Sequence, residues 1–150
     1  MKKILFAASE AVPFMKTGGL ADVTGSLPKY FDKKNYDVRV ILPKYVCMEE
    51  RWKGQLHFLC HFYVNLSWRK QYVGIFETTY DGITYYLVDN EFYFAGNAPY
   101  NNIYEDVEKF AFFSKAVLEA LPYLDFCPDI IHCHDWQTGL LPVFLRTLYG

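Results

Sequence analysis

The sequence predicts an α/β fold: a Rossmann-like, doubly wound and mostly parallel sheet with an antiparallel hairpin excursion in the middle. Three observations lead there. A strand, a Gly-rich loop, a helix and a second strand follow one another in the first forty-odd residues, and such a βαβ unit makes a parallel sheet. The middle is rich in aromatic and β-branched residues, with Asp81-Gly82 as a hairpin turn signal. The last third returns to helix, short apolar strand, helix.

Residues 3–8 (KILFAA) read as the first strand, an apolar run suited to a sheet covered on both faces. A loop around Thr17–Gly19 follows. From Leu20 to Lys34 the apolar residues Leu20, Val23, Leu27, Tyr30 and Phe31 recur at helical spacing, and Pro28 predicts a kink or break within that helix. Val38–Leu42 is a second strand closed by Pro43, and no element is assigned between it and Leu56. Leu56–Leu66, Tyr72–Thr79 and Thr84–Val88 read as strands, inserted in or appended to the parallel sheet. Residues 89–103 form a loop of Asn, Gly and aromatics. A helix over Glu105–Leu121 carries an apolar stripe and stops at Pro122. Asp129–Cys133 reads as a short buried strand, and Gln137–Leu148 as the last helix.

Composition narrows the function classes. Of 150 residues, 52% are hydrophobic, enough for a packed core rather than a disordered chain. The net charge is −2 and no basic stripe is visible, so no nucleic-acid partner is expected. Lys2 and Lys3 ahead of an apolar run imitate a signal peptide, but Ser9, Glu10 and Pro13 interrupt the run too early. No stretch is long enough to span a bilayer. Cys47, Cys60, Cys127 and Cys133 show no CxxC pair, which suits a reduced, cytoplasmic protein.

In such sheets ligands bind beyond the carboxyl ends of the strands, and two segments sit there. Lys16-Thr17-Gly18-Gly19-Leu20-Ala21-Asp22 combines glycines that allow close backbone approach or positive φ, a helix N-terminus and a lysine. That suits a phosphate, though the loop is neither GxGxxG nor GxxxxGK[ST], and an ordinary strand-to-helix turn explains it equally well. In the second segment, His132 and His134 share one face of a strand. With His57, Cys60 and His61 they could supply metal ligands, but the spacings match no zinc module, and no metal or cofactor is expected. Asp135 is expected to cap the next helix, with Trp136 packed beneath it.

Around both segments the sequence closely resembles the N-terminal domain of the bacterial-type, ADP-glucose-dependent glycogen and starch synthases. Ser9-Glu10, Pro13 and the unbroken run Lys16–Val23 match the family's opening signature. Asp129-Ile130-Ile131-His132-Cys133-His134-Asp135-Trp136-Gln137-Thr138-Gly139 matches its second one in full. The resemblance implies a GT-B enzyme that transfers glucose from ADP-glucose to an α-1,4-glucan with retention and without metal. It implies a donor-side set of Lys16, Thr17, Gly18, Gly19 and Asp22, with Lys16 on the nucleotide sugar; Asp22 could instead serve only the helix's first turn through the dipole. His134 would orient the transferred glucose, and Gln137 would face the same region. The loop Tyr93–Tyr100 would border the glucan, though it lacks the arginine many members carry there. Tyr93 and Tyr100 could stack on sugar or be buried. Glu105 and Asp106 fall at the family's acidic pair, with Lys109 in place of its arginine; they could equally serve the helix N-terminus alone.

On this reading residues 1–150 are the acceptor-side domain, whose partner is the enzyme's own C-terminal nucleotide-binding domain, and the piece is expected to be inactive alone. The rival readings are a glucan-binding module without catalysis, half of another GT-B glycosyltransferase, and a purely structural α/β domain. Lys16 and His134 on one edge of the sheet would favour the first reading; opposite faces would exclude it.

Overall fold

The computed structural model describes residues 1–66 and 69–148. Its frame is one six-stranded sheet. The strands are β1 (Lys2–Ala7), β2 (Tyr36–Pro43), β3 (His57–Leu66), β4 (Arg69–Tyr80), β5 (Ile83–Asp89) and β6 (Ile130–Cys133), in the order β3-β4-β5-β2-β1-β6. The pairs β1–β2, β1–β6 and β2–β5 are parallel; β3–β4 and β4–β5 are antiparallel. The hairpin excursion is therefore appended at one edge of the parallel sheet. Its tight turn places Asp81 at φ 51° and Gly82 at φ 77°, the two positive values that a primed turn requires.

Alternation along the central strands explains why they read as unbroken apolar runs. Leu5 and Ala7 of β1, with Ile41 of β2, join one core; Ile4 and Phe6, with Val40 and Leu42, join another on the opposite face. The first core is closed by α3 (Ile103–Ala120), which contributes Phe110, Phe113, Ala116 and Val117. Asn102 caps α3 by accepting from the Glu105 amide at 3.0 Å.

Pro28 acts as expected. Helix α1 (Gly19–Ser26) tightens into a 3-10 turn over Leu27–Tyr30 and the chain then turns toward β2, well short of Lys34. A one-turn helix unassigned by the sequence, α2 (Glu50–Lys53), is held by Trp52, which packs on Phe14 and Tyr80. It is too short to show periodicity. The final helix is also split: a 3-10 turn at Trp136–Thr138 precedes α4 (Leu140–Leu148), because the Thr138 hydroxyl bonds back to the His134 carbonyl at 2.9 Å.

One expectation needs correcting. β6 is not a buried strand: Ile130 is 48% exposed. It pairs with β1 alone among the described residues, so its outer edge and one face are open. α4 likewise leaves Val143, Leu145 and Leu148 exposed.

Gly25 permits the close approach of α1 to the chain at Val12. A Cβ there would lie 2.3 Å from Val12 Cγ2 and 2.7 Å from the Val12 carbonyl oxygen. In an open helix alanine would be better than glycine by about 0.5–1 kcal/mol. Here a backbone atom blocks it, and Gly25→Ala is expected to destabilise by about 1–3 kcal/mol in urea unfolding. A neutral or stabilising result would show that the Val12 segment gives way.

Candidate functional site

Strands β1 and β6 are parallel neighbours that end in register, Ala7 opposite Cys133. The chain leaves both at the same edge of the sheet. The loop after β1 carries Lys16 to Gly19; the segment after β6 begins with His134, whose amide bonds to the Ala7 carbonyl at 3.0 Å. The two sequence-predicted segments therefore share one carboxyl edge.

The loop after β1 is organised from within. Glu10 is only 2% exposed, and its carboxylate accepts from four donors. These are the Thr17 hydroxyl at 2.5 Å, the Gly18 amide at 3.2 Å, the Ala21 amide at 3.3 Å and the Tyr100 hydroxyl at 3.1 Å. The N-terminus of α1, expected to be open to an anion, is thus partly taken by the protein's own carboxylate. Thr17 faces inward to Glu10. Gly18 has φ −165°, an extended backbone that makes no use of glycine's freedom at positive φ. No atom lies within 4 Å of where a Cβ would stand at Gly18 or Gly19, so internal packing does not require glycine at either. Lys16 and Asp22 are half-exposed and form an ion pair at 2.9 Å.

The segment after β6 makes a sharp corner. Asp135 has φ 64° and ψ −177°, a region that essentially only glycine enters freely. Its carboxylate accepts from the Trp136 amide at 2.8 Å, so Asp135 does cap the turn that follows. Trp136 is not packed beneath; it is 48% exposed and meets Phe110 edge-on. His134 is buried against Phe6 at 5.1 Å and His132 at 4.3 Å between ring centroids. Burial, and then the neighbouring His132, lower its pKa to about 4. The imidazole is therefore neutral at pH 7. His134 Nε2 and Gln137 Oε1 are both buried without a hydrogen-bond partner among the described residues. Unsatisfied polar atoms of this kind are costly unless something else meets them.

The remaining candidates are separated from this edge or differ in kind. Tyr93 is buried and stacks one ring face on Phe112 at 4.6 Å between centroids. Burial, followed by Glu108, raises its hydroxyl pKa to about 12. Tyr100 spends its hydroxyl on Glu10 and Ser9. Asp106 is buried in a pair with Lys109 at 3.4 Å, while Glu105 is exposed and borders a surface cavity of about 440 Å³ with Arg69, Phe92 and Tyr104. His57, Cys60 and His61 lie on β3, at the opposite edge of the sheet from His132 and His134. They cannot join those histidines around one ion. Among the described residues, no helix is long and apolar enough to cross a membrane. Sequence reasoning had no means of finding Glu10's role: a glutamate in a motif does not announce that it is buried under four donors.

An α/β sheet with a Gly-rich loop and a histidine-bearing corner side by side at its carboxyl edge defines a ligand-binding domain of the doubly wound class. Comparison with known proteins makes this specific: the family described as "Starch synthase catalytic domain" matches residues 3–150, and the chain belongs to it. The chain is 70% identical to a glycogen synthase of Lachnoclostridium phytofermentans over 146 residues, 97% of this chain and 30% of that protein. It is 64% identical to the glycogen synthase of Lachnospira eligens, covering all of this chain and 31% of that one. The catalytic domain of starch synthase IV from Arabidopsis thaliana, solved bound to ADP and acarbose, superposes with a TM-score of 0.85 at 30% identity. That match covers 99% of this chain and 30% of that one. The chain thus spans about 30% of the length of these relatives.

Proposed function

We propose that the chain is the acceptor-side, N-terminal part of a cytoplasmic retaining glucosyltransferase that adds glucose from ADP-glucose to the non-reducing end of an α-1,4-glucan. The observation that carries this reading is the shared carboxyl edge of β1 and β6, which brings the Gly-rich loop and His134 to one side of the sheet. The open space at Gly18 and Gly19 supports it too, because backbone there can be approached without a side chain in the way. Lys16 supplies charge for the diphosphate from this side, and a second domain in the longer protein supplies the rest. His134, neutral and with a free ring nitrogen, is suited to hydrogen-bond a sugar hydroxyl and orient it. Gln137 offers a second such group. Asp22 holds Lys16 in the resting site. Glu105 is the acidic residue better exposed to a glucan, and Asp106 is committed to Lys109.

The test is kinetic and uses the full-length protein. Lys16→Ala is expected to raise the KM for ADP-glucose about tenfold, and His134→Ala to lower kcat about a hundredfold. UDP-glucose should serve poorly in place of ADP-glucose. Unchanged transfer by both variants would sink the assignment. The 150-residue chain by itself is expected to transfer no glucose.

A further inference from the structure

Glu10 carries a charge in a place with little water and no basic partner among the described residues. Such a group is tolerable only if hydrogen bonds replace its hydration. Four donors do so, and they come from two separate parts of the chain. Thr17, Gly18 and Ala21 belong to the Gly-rich loop and the first turn of α1. Tyr100 belongs to the aromatic loop some ninety residues on. Tyr100 also shares a 2.7 Å bond with the Ser9 hydroxyl, and the buried Tyr45 hydroxyl donates to the Ser9 carbonyl at 2.7 Å. The Glu10 backbone is thus anchored beside β2's end while its carboxylate ties two loops together.

We propose that Glu10 is a positioning residue: its buried carboxylate latches the Gly-rich loop to the 90–102 loop through Tyr100, so that the nucleotide-sugar side and the glucan side of the site are held as one unit. The first-turn amides of a helix are the groups that an incoming diphosphate would use. Glu10 accepts from those of Gly18 and Ala21. Fixing two amides costs the binding site part of its dipole but removes the loop's freedom before the ligand arrives, which lowers the ordering cost of binding. Tyr100 belongs to the same cluster: its hydroxyl reaches the Thr17 hydroxyl as well as Glu10, and Thr17 itself donates to the Glu10 carboxylate, so the carboxylate is the acceptor on which both loops converge.

This inference rests on the proposed function for its kinetic arm and is independent of it in its structural arm. The structural arm is amide exchange of the full-length protein without ligand, followed in the peptide spanning residues 16–22. Tyr100→Phe is expected to speed exchange there several-fold, and Glu10→Gln more so. The kinetic arm measures KM for ADP-glucose and kcat in Tyr100→Phe, Glu10→Gln and the double variant. Each single variant is expected to raise that KM about five- to tenfold with a smaller change in kcat, and the double variant to be no worse than Glu10→Gln alone. Glu10→Asp, which keeps the charge but shortens the reach, should recover part of the loss. Unaltered exchange in Tyr100→Phe overturns the latch whatever the enzyme does. Additive effects of the two substitutions on KM overturn it as well. Faster exchange in a protein that handles no nucleotide sugar would leave the latch standing and refute the function instead. Tyr100→Phe keeps the ring and its packing, so the test survives even if Glu10→Gln does not fold.

Discussion

Lys109→Ala is expected to destabilise the protein by about 3–5 kcal/mol, the cost of leaving a buried charge without its partner. Lys109 is 4% exposed and Asp106 is 5% exposed. The ammonium donates to the Pro99 carbonyl at 2.7 Å and to Asn101 Oδ1 at 3.2 Å, and faces Asp106 at 3.4 Å. Asp106 in turn accepts from the Asn101 amide with both oxygens at 3.1 Å. One side chain therefore closes the end of the aromatic loop onto the first turns of α3. Removing it strands a carboxylate and a carbonyl at once. Lys109→Met with Asp106→Leu should cost less than Lys109→Ala alone, because no lone charge remains. Lys109→Arg should be tolerated, since a guanidinium can reach the same acceptors. Urea unfolding of the four proteins checks this. A loss below about 1 kcal/mol for Lys109→Ala would mean that water reaches Asp106 and screens it.

That pair also marks where the sequence stopped being informative. In the sequence, the acidic residues in the first turn of α3 are readable either as sugar ligands or as helix-terminal charges. Only the fold separates them, sending Asp106 inward to Lys109 and leaving Glu105 outside. Elements set by local chemistry were legible: the two apolar parallel strands, the Asp81-Gly82 turn, the stop at Pro28, and the return to helix at Glu105. Elements set by tertiary contact were not. The helix Glu50–Lys53 exists because Trp52 finds Phe14 and Tyr80. β6 looked buried because Ile130 and Ile131 are apolar, yet exposure depends on which strands lie beyond an edge, a fact outside any local window. Most of the site was legible as two motifs, and their common edge follows from β1 and β6 being parallel neighbours. The inward face of the first motif was not, because Thr17 and the amides of Gly18 and Ala21 turn to a glutamate seven to eleven residues before them.

His134 should make stability fall as the solution is acidified below the ordinary range of histidine. Its pKa is lowered from 6.5 to about 4 in the fold, first by burial and second by His132. A depressed histidine favours the neutral form in the native state, so the unfolded chain binds more protons between those two values. Stability therefore rises with pH across that window, is fully present above pH 6.5, and is lost as pH falls toward 4. Carboxylates titrate in the same region, so the informative quantity is the difference between the protein and His134→Gln, whose amide has no charge to acquire. Wild-type stability should drop more steeply than the variant's from pH 6.5 to 4, with parallel curves above pH 7. Because His132 is the lesser cause, His132→Asn should flatten the wild-type curve only slightly, whereas a substitution that opens the Phe6 side of the ring to water should flatten it more. Curves of wild type and His134→Gln that run parallel down to pH 4 would show that the imidazole is hydrated and charged in that range. The same neutral imidazole would then no longer be available at mildly acid pH as the hydroxyl-orienting group proposed for glucosyl transfer.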